Sequence, residues 1–207
     1  MHCCPWKESI MQYKLLICLL TGFGGFNLWT YGEKNLFPES PDLPPVERGY
    51  VFSLLNQGDD RERSILKLQQ GGYLGYRELH SNLIKSPVRW DGHAFELTCK
   101  YNHKGLLELC LIQGESGWQD FFYDDIVHPQ WLALRTRVTR TYGKPVEITK
   151  FPAYQQVPYN DKGGFVTDRW ELKDRTLLLS LQSYSQEDCC TGQVLDFSCC
   201  ILLIQPK

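Results

Sequence analysis

The 207-residue sequence has little net charge: 22 Lys and Arg stand against 24 Asp and Glu, leaving −2. Binding to a nucleic-acid backbone or an anionic lipid surface needs clustered basic side chains, so this balance argues against both partners. Long hydrophobic runs are missing too. The strongest apolar stretch, Leu15 to Trp29, covers 15 residues and contains three glycines, whereas a membrane-spanning helix needs roughly 20 apolar residues. Methionine is scarce: Met1 and Met11 are the only two, and the second is an alternative start. Catalytic signatures are equally sparse. No Gly-x-Ser-x-Gly occurs, so nothing marks a nucleophile elbow. "QGGYLG" lacks the Lys-Ser/Thr end of a phosphate loop, neither it nor "DKGGF" has a strand–loop–helix setting, and both read as turns.

What is present is ordinary for a globular protein. Apolar residues make up 43%, charged residues 22%, and six Trp are available to build a core. The length suits one domain, or one domain with a tail.

The N-terminus predicts export. In "MQYKLLICLLTGFGGFNLWTYG" (11–32), Lys14 precedes the apolar residues Leu15 to Leu20, and "GFG" offers a small-x-small cleavage site. Residues 1–30 are therefore expected to be a signal peptide. An inner-membrane anchor over 15–29 is the alternative, and a buried helix is disfavoured by Gly22, Gly24 and Gly25. Cys18 follows Ile17 rather than a small residue, which argues against lipidation. Four prolines between 33 and 50 predict an extended, solvated linker over 31–49. The folded domain is expected over 50–207, in the periplasm or secreted.

Within it, "DDRERSILKLQQGG" (59–72) predicts a helix: acids at its start suit the dipole and Gly71-Gly72 end it. "YLGYREL" reads as a strand. "FELTCKYNHKGLLELC" (95–110) reads as a hairpin, with Phe95, Leu97, Cys99 and Tyr101 on one face. Aligning the apolar faces pairs Tyr101 with Leu107, Cys99 with Leu109 and Lys100 with Glu108, around a His103-Lys104-Gly105 loop. "HPQWLALRTRVTRTYGKP" (128–145) predicts a helix with Pro129 in its first turn and an apolar stripe of Trp131, Leu134, Val138 and Tyr142. Arg135, Arg137 and Arg140 fall toward its dipole-favoured end, and Gly143 and Pro145 stop it. Then "DRWELKDRTLLLSLQ" pairs Trp170 with Leu179 and Leu172 with Leu177, and "VLDFSCCILLI" supplies a last strand. The order predicts an α+β two-layer sandwich, an antiparallel sheet with helices packed on one face.

"RVTRTYGKP" followed by "DRWELKDRTLLLSL" resembles a pattern in small exported bacterial domains: a helix ending in Tyr-Gly-x-Pro, a loop, a Trp strand and an aliphatic strand. Some of these resemble the fold shared by β-lactamase-inhibitor proteins and small outer-membrane assembly lipoproteins. Over residues 93–184 the resemblance implies a binding scaffold rather than an enzyme.

Nine cysteines occur, four of them in "QEDCCTGQVLDFSCC" (186–200). Cys199 and Cys200 are adjacent in a predicted strand and point to opposite faces, so they do not share a zinc ion. A Thr191-Gly192 reversal leaves Cys189 and Cys190 beside the loop, away from Cys199. In the register above Cys99 faces the core and Cys110 faces away, so these two are not expected to bridge. Removing the leader leaves six cysteines, an even number that suits an oxidising compartment. Cys110, Cys189, Cys190 and Cys200 stay candidates for a disulfide or a free thiol, and Cys99 with Cys199 or Cys200 reads as a small core residue.

"WQDFFYDDIVH" (118–128) gathers Asp120, Asp124, Asp125 and His128, residue types that hold a divalent metal or run acid–base chemistry. No ligand spacing there matches a metal motif, and a helix-capping loop explains it as well. Trp118, Phe122 and Tyr123 are the candidate partner-binding patch, since rigid aromatics anchor interfaces. The expectation is an exported envelope protein that binds another protein without cofactor, metal or catalysis: an inhibitor, an immunity factor or an assembly accessory. The alternatives are a small metal-dependent hydrolase using Asp124, Asp125 and His128, and a cytosolic thiol or metal protein.

Overall fold

The computed structural model describes residues 39–46, 50–73, 77–80, 83–117, 122–158, 164–187 and 192–207. One compact unit comprises Glu39–Glu187 and Val194–Lys207, and it is the one described below. The predicted leader, with residues 15–29, lies outside the described residues. Among the described residues no helix is long and apolar enough to cross a membrane.

The unit is an α+β sandwich. Among the described residues eight strands form one antiparallel sheet in the order β1-β2-β3-β4-β8-β7-β6-β5. They are β1 (Arg77–His80), β2 (Leu83–Trp90), β3 (His93–Tyr101), β4 (Leu107–Gly114), β5 (Glu147–Ile148), β6 (Phe165–Glu171), β7 (Arg175–Glu187) and β8 (Val194–Pro206). The chain builds one half as the β1–β4 meander, passes through a helix and β5–β7, then returns through the centre as β8. Residues at alternate positions line one buried face: Ile84 and Val88, Leu97 and Cys99, Cys110 and Ile112, Leu202 and Ile204, Leu177 and Leu179, and Trp170. Side chains two apart on a strand share a face, and that periodicity puts them in one core.

Helix α1 (Arg61–Gln70) begins at Asp60, whose side chain accepts from Arg63 N, and ends at Gly71. Asp59 is buried and accepts from Asn56 N at 2.7 Å and from Lys67 Nζ, so the two acids do different work. Helix α2 (His128–Tyr142) buries Trp131, Leu134 and Val138 as the stripe predicts, with Tyr142 half-buried. Gly143, with φ 83, stops it in the left-handed region where a Cβ is penalised.

The β3–β4 hairpin corrects one register. Tyr101 does face Leu107, and Gly105 takes the left-handed position with φ 73. A bulge between Lys100 and Tyr101 then shifts everything beyond by one residue. Cys99 therefore pairs with Cys110 and Lys100 with Leu109, instead of Leu109 and Glu108. An extra residue in one strand swaps the faces of all that follow, which turns Cys110 into the core. The β6–β7 hairpin is also tighter than expected. Trp170 pairs with Leu177 and Glu171 with Thr176, and Leu172 N donates to Arg175 O around Lys173-Asp174. Arg175 consequently lies in β7 and is buried.

Strand β2 went unrecognised in the sequence, although its turn was written there. Asp91 and Gly92 join β2 to β3 with φ 52 and φ 78, the two left-handed positions of a two-residue hairpin. The expected linker is likewise part of the fold from Glu39 to residue 46. Ser40 N donates to Arg89 O, Trp90 Nε1 and Tyr73 Oη both donate to Pro41 O, and Leu43 is buried. Prolines keep this segment extended, but its carbonyls satisfy buried donors of the core rather than solvent.

Candidate functional site

The described part of the acidic-aromatic stretch, from residue 122, folds as the lead-in to α2. A single π-helical turn, Tyr123–Val127, runs directly into the helix. Such turns are uncommon and recur at functional sites. Here it turns Tyr123 inward: the side chain is 2% exposed and its hydroxyl donates to Pro152 O at 2.8 Å. Its ring meets Phe151 at 4.8 Å and Tyr154 at 5.4 Å between centroids. Burial pushes the phenol above its ordinary range, with the nearby Asp124 adding to the effect. Tyr123 therefore props the connection after α2 against its first turn and is not a surface anchor. Phe122 is half-buried against the core, and its ring fills the place a Cβ on Gly117 would occupy. Trp118 and Asp120 lie outside the described residues.

Asp124, Asp125 and His128 are all exposed on this turn. The His128 ring lies against Phe151, 4.4 Å between centroids, and 5.7 Å from Trp131. Among the described residues no group of three or more His, Cys, Asp or Glu is placed to hold a metal ion. The helical spacing that brings 124, 125 and 128 near one another in sequence thus does not converge them on a point.

Beneath this turn α2 is tied to β6 by polar groups. Trp131 Nε1 donates to Thr167 Oγ1 at 2.8 Å, and that hydroxyl donates to Leu179 O at 3.1 Å. Arg135 Nε sits 2.9 Å from Asp168 Oδ1, and its guanidinium lies 4.9 Å from the Trp131 ring centroid. Asp168 is fully buried, and loss of hydration raises its carboxyl pKa, with Thr167 and Arg135 opposing the shift. A buried carboxylate offset by one cation is a positioning device for the helix as much as a proton holder. Near the start of α2, the Gln130 side chain and the Cys200 thiol of β8 fill the space beside Gly114 of β4.

The arginines in the second half of α2 reach beyond the helix end. Arg137 is 7% exposed, stacks 5.0 Å from the Trp90 ring centroid, and pairs with both Asp42 and Asp91. Arg140 reaches the same Asp42 at 2.8 Å. Glu39 accepts from the turn amides Asp91 N and Gly92 N at 3.1 and 2.9 Å. Together with Ser40 and Pro41 these residues line a shallow groove of about 440 Å³. Two arginines face two aspartates and the third carboxylate, Glu39, is held by the turn amides, so the groove is a clasp between segment 39–45, the β2–β3 turn and α2. Tyr142 completes it by donating to Pro44 O at 2.7 Å, and burial pushes its phenol up to about 12.

The cysteines divide. Cys99, Cys110 and Cys200 belong to the main core. Cys199 is buried on the opposite side of β8, and burial pushes its thiol up to about 11, with Ser116 opposing. Cys189 and Cys190 lie outside the described residues. The adjacent pair 199–200 alternates across the sheet as expected of neighbours in a strand.

A further surface feature lies at the end of the sheet. At the β5–β6 edge, Val146, Ile148 and Val166 are 63%, 66% and 41% exposed. Strand β5 has only two residues, and it ends the sheet. Ion pairs surround it: Arg169 with Glu147 and Glu171, and Lys207 with Glu171 at 2.9 Å. The run "VEITK" (146–150) carries the alternation of an edge strand and could have been picked out on that basis. No family model matches this chain, and no curated protein or solved structure matches it.

Proposed function

We propose that this chain is an exported envelope protein that works as a non-catalytic binding module, in the manner of an inhibitor, an immunity factor or an assembly accessory. The β5–β6 edge carries the reading. Exposed β-branched side chains rimmed by ion pairs form the kind of patch that a partner covers. A sheet edge adds to this a row of backbone groups able to pair with an incoming strand. The partner is thus another protein presenting an extended segment. The Tyr-Gly-x-Pro resemblance to exported binding scaffolds points the same way, and the Lys14–Leu20 leader supports the periplasm or the exterior as the compartment.

Two measurements test it. Intact mass of the protein from its native host, fraction by fraction, is expected to lack roughly the first 24 residues in the envelope fraction. A full-length mass confined to the cytosol overturns export. A photoreactive residue at position 148 is expected to give one discrete protein adduct on irradiation in envelope extract. The same residue at Leu66, exposed on α1, is the control and is expected to give none. Identical adducts from both positions, or none from either, overturn the edge as the contact surface.

A further inference from the structure

We infer that Cys99 and Cys110 are partners in a cross-strand disulfide that closes as the β3–β4 hairpin folds. The two residues are directly opposed in the antiparallel register, on the core side of the sheet. Opposed residues in such a pair hold their Cα atoms about 4.5–5.5 Å apart whichever hydrogen-bonding position they occupy. That range falls inside the window of about 4.4–6.8 Å that a disulfide accepts. The sulfurs are already 4.0 Å apart. Closing to a bond of about 2.05 Å asks each sulfur to move about 1 Å, a side-chain rotation rather than a backbone shift. Among the other described cysteines, Cys199 and Cys200 are sequence neighbours on opposite faces of β8 and have no such geometry.

The chemistry balances with a disulfide oxidant, either oxidised glutathione or the active disulfide of a thiol oxidase. One Cys thiolate attacks the oxidant, forming a mixed disulfide and releasing one thiol. The second cysteine displaces the other thiol and forms the Sγ–Sγ bond. Two S–H bonds are lost, and two electrons and two protons pass to the oxidant. Timing follows from burial. Both residues are fully buried in the finished fold. The contact with Cys99 and then burial hold the Cys110 thiol well above its ordinary range, so in the finished fold that thiol is a poor nucleophile. The bond must therefore form while the hairpin is in register and the rest of the core has not yet closed over it. The bulge at Lys100/Tyr101 makes this possible, because without it Cys110 would face away from Cys99.

Trypsin makes the test direct, since Lys100 and Lys104 lie between the two cysteines. Full-length protein is recovered from denaturant with oxidised glutathione, isolated as the native monomer, denatured, alkylated and digested. Expected is a peptide joining residues 90–100 to 105–135, two hydrogens lighter than its parts, that vanishes on prior reduction. A Cys99→Ser variant treated identically is expected to show Cys110 alkylated. Separate alkylated peptides from the wild-type native monomer, or either cysteine joined to a different one, overturn the assignment. The outcome does not depend on the edge contact or on export, because the oxidant is supplied in the buffer.

Discussion

Gly114 is where the α2–sheet packing can be probed most directly. It ends β4, and a Cβ built there would lie 2.7 Å from Cys200 Sγ, 3.3 Å from Gln130 Cδ, and closer still to Gln130 Oε1. Its backbone is not in the left-handed region, so a penalty for Gly114→Ala is steric and not conformational. Strand propensity alone would favour the alanine, since glycine in a strand loses more backbone entropy. Both neighbours are buried, Gln130 on α2 and Cys200 on β8, so neither can swing into solvent. Forcing one carbon into such a packed contact costs about 1–3 kcal/mol. For a chain of this size each kcal/mol lowers the midpoint by about 2–4 °C, so the expected fall is about 2–12 °C. Urea and thermal unfolding followed by circular dichroism read it. Gln130→Ala vacates the space, so Gly114→Ala/Gln130→Ala should lose less than the sum of the single variants, by about 0.5–3 kcal/mol. A Gly114→Ala protein that melts with the parent, or strict additivity in the double variant, refutes close approach of α2 to the β4–β8 strands.

Two further expectations concern single groups. Lys207 first, then Arg169, hold the Glu171 carboxyl down to about 2, against an ordinary 4.5. A folded-state value below the unfolded one adds stability above pH 4.5 that is lost as pH falls toward 2. Urea midpoints measured across that window should fall more steeply for the parent than for Glu171→Gln; equal slopes refute the network. Asp60→Ala removes the acceptor for Arg63 N at the start of α1 and should cost about 1 kcal/mol by urea unfolding. An unchanged midpoint would mean the cap is not used in solution.

Much of the architecture can be derived from local pattern. α1 and α2 are bounded by an Asp cap, a Pro in the first turn and glycine stops, and each signal acts within a few residues of itself. Alternation in "FELTCKY" places Phe95, Leu97, Cys99 and Tyr101 on the core face for the same reason. Asp91-Gly92 was equally readable as a hairpin turn and shows that turn chemistry must be weighed even where the flanking strand carries Lys85, Pro87 and Arg89.

Three decisions belonged to tertiary structure alone. The bulge after Lys100 depends on which register best fills the core, a comparison no local pattern contains, and it moved Cys110 from the outer face to the partner of Cys99. The clasp formed by Asp42, Asp91, Arg137 and Arg140 joins segments nearly a hundred residues apart, so proline composition suggested a solvated linker where the fold supplied buried donors instead. Tyr123 reads as a binding aromatic in the sequence because rigid aromatics anchor interfaces. Whether a ring faces solvent is set by what packs over it, and here Phe151 and Tyr154 arrive from beyond α2 to cover it. Sequence periodicity determines which side of an element is apolar; only the assembled sheet and helices determine which of those apolar groups meet, and that is where the cysteine pair and the exposed β5 edge were decided.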